Sequence, residues 1–164
     1  MKTLYLVRHA KSSWDYGNLS DRERPLNDRG LRDAPFMAGV LSGKGVQPDA
    51  IFTSPAVRAF TTAIFFKNRL AVDARDFFLR DELYETGAGE VLDFITLFPE
   101  DLDTVMVFGH NPAFTNVANV FSKNYIPNIP TCGVVCIGAD VARWPDFVPK
   151  NARIVDFFYP KQFK

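Results

Sequence analysis

The amino-acid sequence predicts an α/β fold, a three-layer α/β/α sandwich built on a mostly parallel central sheet. Three observations predict it. Short apolar runs alternate with amphipathic or capped segments from the start of the chain to about residue 122, as in a parallel sheet with crossover helices. The first of these runs is continuous rather than alternating apolar with polar, as expected of a strand covered on both faces. Beyond residue 122 two more apolar runs follow without a helical segment between them, so the chain is expected to end in a meander.

Residues 3–8 read as the first strand, and residues 11–27, polar and turn-rich, as a long loop after it. Leu31, Ala34, Met37, Ala38 and Leu41 predict a helix over 28–42, with Pro35 placed near its first turn, where proline is tolerated. Gly43, Gly45 and Pro48 then break the chain. Residues 50–53 form a second short strand. Ser54-Pro55 reads as an N-cap followed by proline at the first helical position, opening a helix to about residue 70. A third strand lies within 77–83, a helix over 90–98 stops before Pro99, a fourth strand covers 104–108, and a helix covers 112–122. Residues 132–137 and 154–159 are the last strands. No repeat, low-complexity linker or shift in composition divides the chain, so residues 1–164 are expected to form a single domain.

Nineteen basic and nineteen acidic residues cancel, so no overall field favours nucleic acid or an anionic membrane. Attraction for an anion has to come from a local cluster. The sixteen phenylalanines are spread along the chain and read as core filling. Cys132 and Cys136, the only cysteines, fall four apart on an expected strand, sharing a face but too distant to bridge. Neither histidine is near them in sequence, which disfavours zinc. Two buried thiols suit a reducing compartment. The N-terminal apolar run is broken at once by Arg8, unlike a signal peptide or a membrane span. The expectation is a cytoplasmic protein with no membrane or nucleic-acid partner, no metal and no cofactor.

The chemistry is carried by the two histidines, the only ones in the chain. Arg8-His9 ends the first strand, and Gly109-His110-Asn111-Pro112 follows the fourth. Ser54-Pro55-x-x-Arg58 follows the second. In open α/β sheets the ligand site lies at the carboxyl ends of the strands, so Arg8, His9, Arg58 and His110 are expected to converge. Two guanidiniums supply planar donors for phosphate oxygens, a neutral imidazole can attack phosphorus, and a second, if protonated, can stabilise the equatorial oxygens. Each residue alone has a plainer reading. His110 can cap the next helix, and Ser12 can bond its own backbone. Arg24 either reaches the substrate or belongs to the solvated charge run Asp21-Arg22-Glu23-Arg24. Trp14 reads as a packing residue of the loop, and Lys11 adds positive charge without a specific role. Arg58 is poorly placed against a helix dipole unless an anion sits beside it.

Taken together, the motifs resemble the histidine phosphatase superfamily, the phosphoglycerate-mutase-like fold. Its Arg-His-Gly signature appears here as Arg8-His9-Ala10, and its Glu-Ser-x-Trp-Asn as Lys11-Ser12-Ser13-Trp14-Asp15. Pro25-Leu26-Asn27-Asp28-Arg29-Gly30, Ser54-Pro55-Ala56-Val57-Arg58-Ala59 and Gly109-His110 match further family segments in the expected order. Within the superfamily, the compact length and Arg-His-Ala-Lys-Ser-Ser-Trp most resemble the SixA-type phosphohistidine phosphatases. The resemblance implies that His9 becomes phosphorylated and that Arg8, Arg58 and His110 form the phosphate pocket. From the residues themselves, a Ser12 hydroxyl that can donate to phosphate and an Arg24 that can reach the substrate make these two candidate substrate contacts. The resemblance implies Glu85, in Leu83-Tyr84-Glu85, as a candidate proton donor, with Glu82 its competitor. A phosphohistidine leaving group needs less acid assistance. The leading expectation is a metal-independent phosphatase acting through His9 on protein phosphohistidine. The alternatives are a phosphatase for small phosphomonoesters and a catalytically silent phosphate- or phosphoprotein-binding module.

Overall fold

A computed structural model describes residues 1–164. The elements are β1 (Lys2–Arg8), α1 (Asp28–Gly43), β2 (Ala50–Thr53), α2 (Val57–Arg69), β3 (Phe77–Leu79), α3 (Ala88–Thr96), β4 (Thr104–Gly109), α4 (Ala113–Val120), β5 (Val134–Ala139) and β6 (Ala152–Phe158). The strands form one sheet in the order β3-β2-β4-β1-β5-β6. Its first four strands are parallel, and β5 and β6 run antiparallel at the far side. The parallel sheet and the terminal meander are as expected.

The strand period of two divides the core into two apolar layers. Leu4, Leu6, Phe52, Val105 and Val107 pack with α3 and α4 on one face of the sheet. Val7, Ile51, Met106 and Phe108 pack with α1 and α2 on the other. Helices on both faces explain why the central runs carry so few polar residues. No helix is long and apolar enough to cross a membrane.

Several local expectations shift. Pro35 lies two turns inside α1 rather than in its first turn. It denies the Leu31 carbonyl its usual helical donor, on a face where Leu31 is exposed to water. Ser54 does not cap α2, which begins at Val57 after Ala56. The third strand has only three residues, because Asp81–Leu83 turn as a 3-10 helix. Cys132 is not on β5. It occupies the turn before it, with a φ of 59°, so the two thiols do not share a strand, although both are free and buried.

What matters for function is register. Arg8 pairs with Gly109, and Thr53 with Phe108. The carboxyl ends of β1, β2 and β4 therefore stop side by side, and the next residues are His9, Ser54 and His110. Gly109 allows this arrangement, since a Cβ there would lie 2.5 Å from the Phe114 ring. Gly30 does the same for the long loop, because any Cβ on it would collide with the Lys11 carbonyl oxygen.

Candidate active site

His9 begins where the strand hydrogen bonding of β1 ends. Its Nδ1 lies 2.7 Å from the Ala10 carbonyl oxygen. A carbonyl only accepts, so Nδ1 carries the proton and Nε2 keeps the lone pair. Ala10 is held in turn by Thr62 on α2, whose Oγ1 accepts the Ala10 N–H at 3.0 Å and donates to the Arg58 carbonyl at 2.7 Å. Ala10 is fully buried and takes no left-handed φ, so the alanine is accommodated without strain.

The ring of His110 stands 5.2 Å from that of His9, centroid to centroid. Its Nε2 is 2.8 Å from Ser54 Oγ, which also accepts the Ala56 N–H at 3.2 Å. The assignment that uses every group has Ser54 donating to Nε2, which puts the proton of a neutral His110 on Nδ1. Ser54 thus orients the second histidine rather than starting a helix. Nothing in its serine-proline context distinguishes those two roles.

Arg58 is buried within α2, and an anion does sit beside it. That anion is Asp21, whose Oδ2 accepts from Arg58 Nη2 at 2.9 Å, while its carbonyl accepts from Nη1. Tyr84 donates to the same Oδ2 at 2.7 Å. Partial burial raises the Asp21 carboxyl pKa, but the hydrogen bonds from Tyr84 and Arg58 outweigh that and hold it at about 2. Asp21 was hidden in sequence by its charge run, which reads as solvated surface. Arg24, from the same run, is buried rather than solvated. Its Nη1 donates to Ser12 Oγ at 2.9 Å and to the Ser13 carbonyl at 3.1 Å. Its guanidinium lies 3.5 Å from the centroid of Trp14. Trp14 itself is 75% exposed, so it forms a stacking wall and not the packing residue its loop context indicated.

These side chains line a cleft of about 210 Å³ that includes Arg8, His9, Lys11, Ser12, Arg24, Arg58 and His110. Burial lowers the pKa of His9 to about 3, opposed by its bond to Ala10 and reinforced by His110, Arg58 and Arg8. Burial and the nearby Arg58 lower that of His110 to about 4. Both imidazoles are neutral at pH 7. Three buried side-chain nitrogens in the whole protein lack a hydrogen-bond partner: Arg8 Nε, Arg58 Nε and His110 Nδ1. Each belongs to a residue lining this cleft. An unsatisfied buried donor costs about 1–3 kcal/mol, and three together fit an acceptor-rich anion.

Of the residues predicted from sequence, the cleft gathers Arg8, His9, Ser12, Arg24, Arg58 and His110. Glu85 and Glu82 are not among its lining. Both are exposed, and they border a second, larger cavity beside the cleft. Asp21, Ser54, Thr62 and Tyr84 are the supporting residues that motif reasoning did not single out.

Residues 4–96 match the histidine phosphatase superfamily (branch 1). An uncharacterized protein of Mycobacterium tuberculosis is 28% identical over 165 residues, covering 94% of this chain and all of that protein. A solved structure from Agrobacterium tumefaciens, itself provisionally assigned as the phosphohistidine phosphatase SixA, superposes with a TM-score of 0.82 at 25% identity. It covers 97% of this chain and 98% of its own. The structure of the protein histidine phosphatase SixA complexed with tungstate shares the fold, with a TM-score of 0.82 at 22% identity over 99% of both chains.

Proposed function

The chain belongs to the histidine phosphatase superfamily and is a phosphatase; from that premise we propose that it hydrolyses protein phosphohistidine, without a metal, through a covalent phosphate on His9. The single observation that carries this reading is that the three unpartnered buried nitrogens all belong to residues lining the cleft that holds His9, whose own tautomer leaves Nε2 nucleophilic. Nε2 attacks phosphorus as the bond to the leaving imidazole nitrogen breaks, and that ring departs with the proton it carries. Positive charge growing on His9 is stabilised by Nδ1–H donating to the Ala10 carbonyl. Arg8, Arg58 and His110 hold the equatorial oxygens. Water then attacks phosphorus and releases inorganic phosphate, restoring His9. Ser12 and Arg24 line the same cleft, where Arg24 adds charge.

A phosphate dianion placed among these groups raises the His110 pKa and favours its protonation, so the second histidine becomes cationic only when substrate is present. Glu85, exposed and outside the cleft lining, has no evident part in this sequence, and a nitrogen leaving group needs little acid help.

The test is turnover of a core histone phosphorylated on histidine beside an aryl phosphate, in a chelator, for wild type and His9→Ala. We expect phosphohistidine to be the better substrate, and the substitution to abolish both activities while leaving phosphate binding measurable. Faster aryl phosphate turnover would move the substrate to small phosphomonoesters. Activity surviving the loss of His9 would overturn the covalent mechanism.

A further inference from the structure

Beside the catalytic cleft lies a groove of about 800 Å³ between α3 and the β3 edge of the sheet. Its floor is aromatic. Phe52 stacks on Phe78 at 5.1 Å and on Phe98 at 5.0 Å, and meets Phe94 edge-on. Leu97 stands on its rim 81% exposed. Six carboxylates line it: Asp76, Glu82, Glu85, Glu90, Asp93 and Asp101, against one cation, Arg80. None of the six takes part in an ion pair, although the chain contains eight others.

We propose that this groove docks a basic, apolar-faced segment of the protein whose phosphorylated side chain enters the cleft. The inference deepens the proposed function and rests on a protein being the substrate.

Charge complementarity identifies the occupant. The chain has no net charge, yet its cations gather in the cleft and unpaired carboxylates gather here, a few residues away. The structure also shows what the floor accepts. The Arg80 guanidinium lies 5.1 Å from the Phe78 centroid and 5.6 Å from that of Phe52, a cation resting on aromatic faces. The groove runs beside β2 from Ala50 upward. A strand of that length measures about 13 Å at 3.3 Å per residue, the length of two or more helical turns.

Position links the groove to the chemistry. Tyr84 lines its upper end, meets the His110 ring edge-on at 5.6 Å and donates to Asp21, the partner of Arg58. A segment lying in the groove therefore ends beside the cleft. The dianion faces cations while the segment's basic side chains face carboxylates, so the two halves of one partner carry opposite charge. A substrate with no such segment gains nothing from the groove.

The experiment uses the full chain, two substrates and two variants. The substrates are the histidine-phosphorylated core histone, which is basic, and free phosphohistidine. The variants are Asp93→Lys combined with Asp101→Lys, both exposed, and separately Leu97→Asp. A Lys/Leu amphipathic peptide of about fourteen residues and its Glu/Leu counterpart probe the groove directly by fluorescence anisotropy and by amide shifts in α3. We expect the Lys/Leu peptide to bind and the Glu/Leu peptide not to. The double charge reversal should weaken the peptide, and raise KM for the histone, by roughly tenfold or more. Turnover of free phosphohistidine should stay within twofold of wild type. Equal binding of both peptides, or unchanged histone KM in both variants, would overturn the docking site. If wild type binds the Lys/Leu peptide in α3 but turns over neither substrate, the functional reading fails while the groove's preference for basic apolar segments stands.

Discussion

Lowering the pH from 7 to 5 should destabilise this protein through its two histidines alone, and the size of the effect follows from the site. The folded pKa values, about 3 for His9 and about 4 for His110, lie below the ordinary value of about 6.5. In the window between, the unfolded chain binds more protons than the folded one, so stability is complete above the unfolded value and is lost as pH falls through it. At pH 5 the loss is about 2 kcal/mol from each histidine and about 4 kcal/mol together. That is a large part of the 5–15 kcal/mol that usually separates folded from unfolded states. With a slope near 2 kcal/mol per molar, the urea midpoint should drop by about 2 M. The chain has no other histidine, so equilibrium urea unfolding at pH 7, 6 and 5 isolates the pair. His9→Gln should remove about half of the pH dependence, and adding His110→Gln nearly all of it. Saturating phosphate should shrink the loss in wild type, since an anion bound beside the imidazoles lets them charge. A midpoint unchanged from pH 7 to 5, or a fall as steep in the histidine-free variant, would refute the claim that burial holds both rings neutral.

Other substitutions probe the supporting groups. Gly30→Ala forces α1 away from the Lys11 carbonyl, and should cost about 2 kcal/mol or more in denaturant unfolding while lowering activity with it. Asp21→Asn removes the negative charge and one of the two acceptor oxygens that Arg58, Tyr84 and Arg24 share. The carboxylate is half exposed, so stability should change by less than about 1 kcal/mol, whereas kcat/KM for an aryl phosphate should fall about tenfold as Arg58 loses its alignment. Glu85→Gln should leave steady-state turnover of phosphohistidine within about threefold of wild type, because general-acid help contributes little with a nitrogen leaving group. A loss of a hundredfold would make Glu85 the proton donor.

The parallel sheet and the convergence of four cleft residues were legible because strand-end position is a periodic, short-range property. Val7, Phe108 and Thr53 are apolar or β-branched, and the residue after each strand is polar, so the site announces itself wherever a strand stops. The supporting contacts obey no such rule. Asp21 looks like any member of a charged loop until α2 brings Arg58 against it. Trp14 looks like packing until Arg24 proves to be buried and turns its face to the ring. Lys2, which no motif singles out, is 2% exposed, with its ammonium donating to the carbonyls of Glu100 and Leu102. Ser54-Pro55 carried a strong local capping signal, and a tertiary partner, His110, claimed the hydroxyl instead.

The cleft is cationic in a neutral chain without being unstable. Four cations and two imidazoles share a small volume, and two devices limit their repulsion. Burial keeps both rings uncharged, and Asp21 supplies one internal counter-charge at Arg58. Neither device satisfies Arg8 Nε, Arg58 Nε or His110 Nδ1. The stability withheld at those three atoms is available only to a ligand that accepts hydrogen bonds and carries negative charge, so phosphate binding and folding are linked. A ligand that binds only the folded state at a hundredfold over its Kd adds about 2.7 kcal/mol. Phosphate should therefore raise the melting temperature of wild type, and His110→Gln should lose part of that gain, since Gln supplies a donor without a titratable charge. Sulfate stays a dianion from pH 6 to 8, so its stabilisation of wild type should grow as pH falls and His110 takes up a proton, while its stabilisation of His110→Gln should hardly vary. A sulfate effect on wild type as insensitive to pH as that on His110→Gln would mean that His110 does not protonate with the ligand bound.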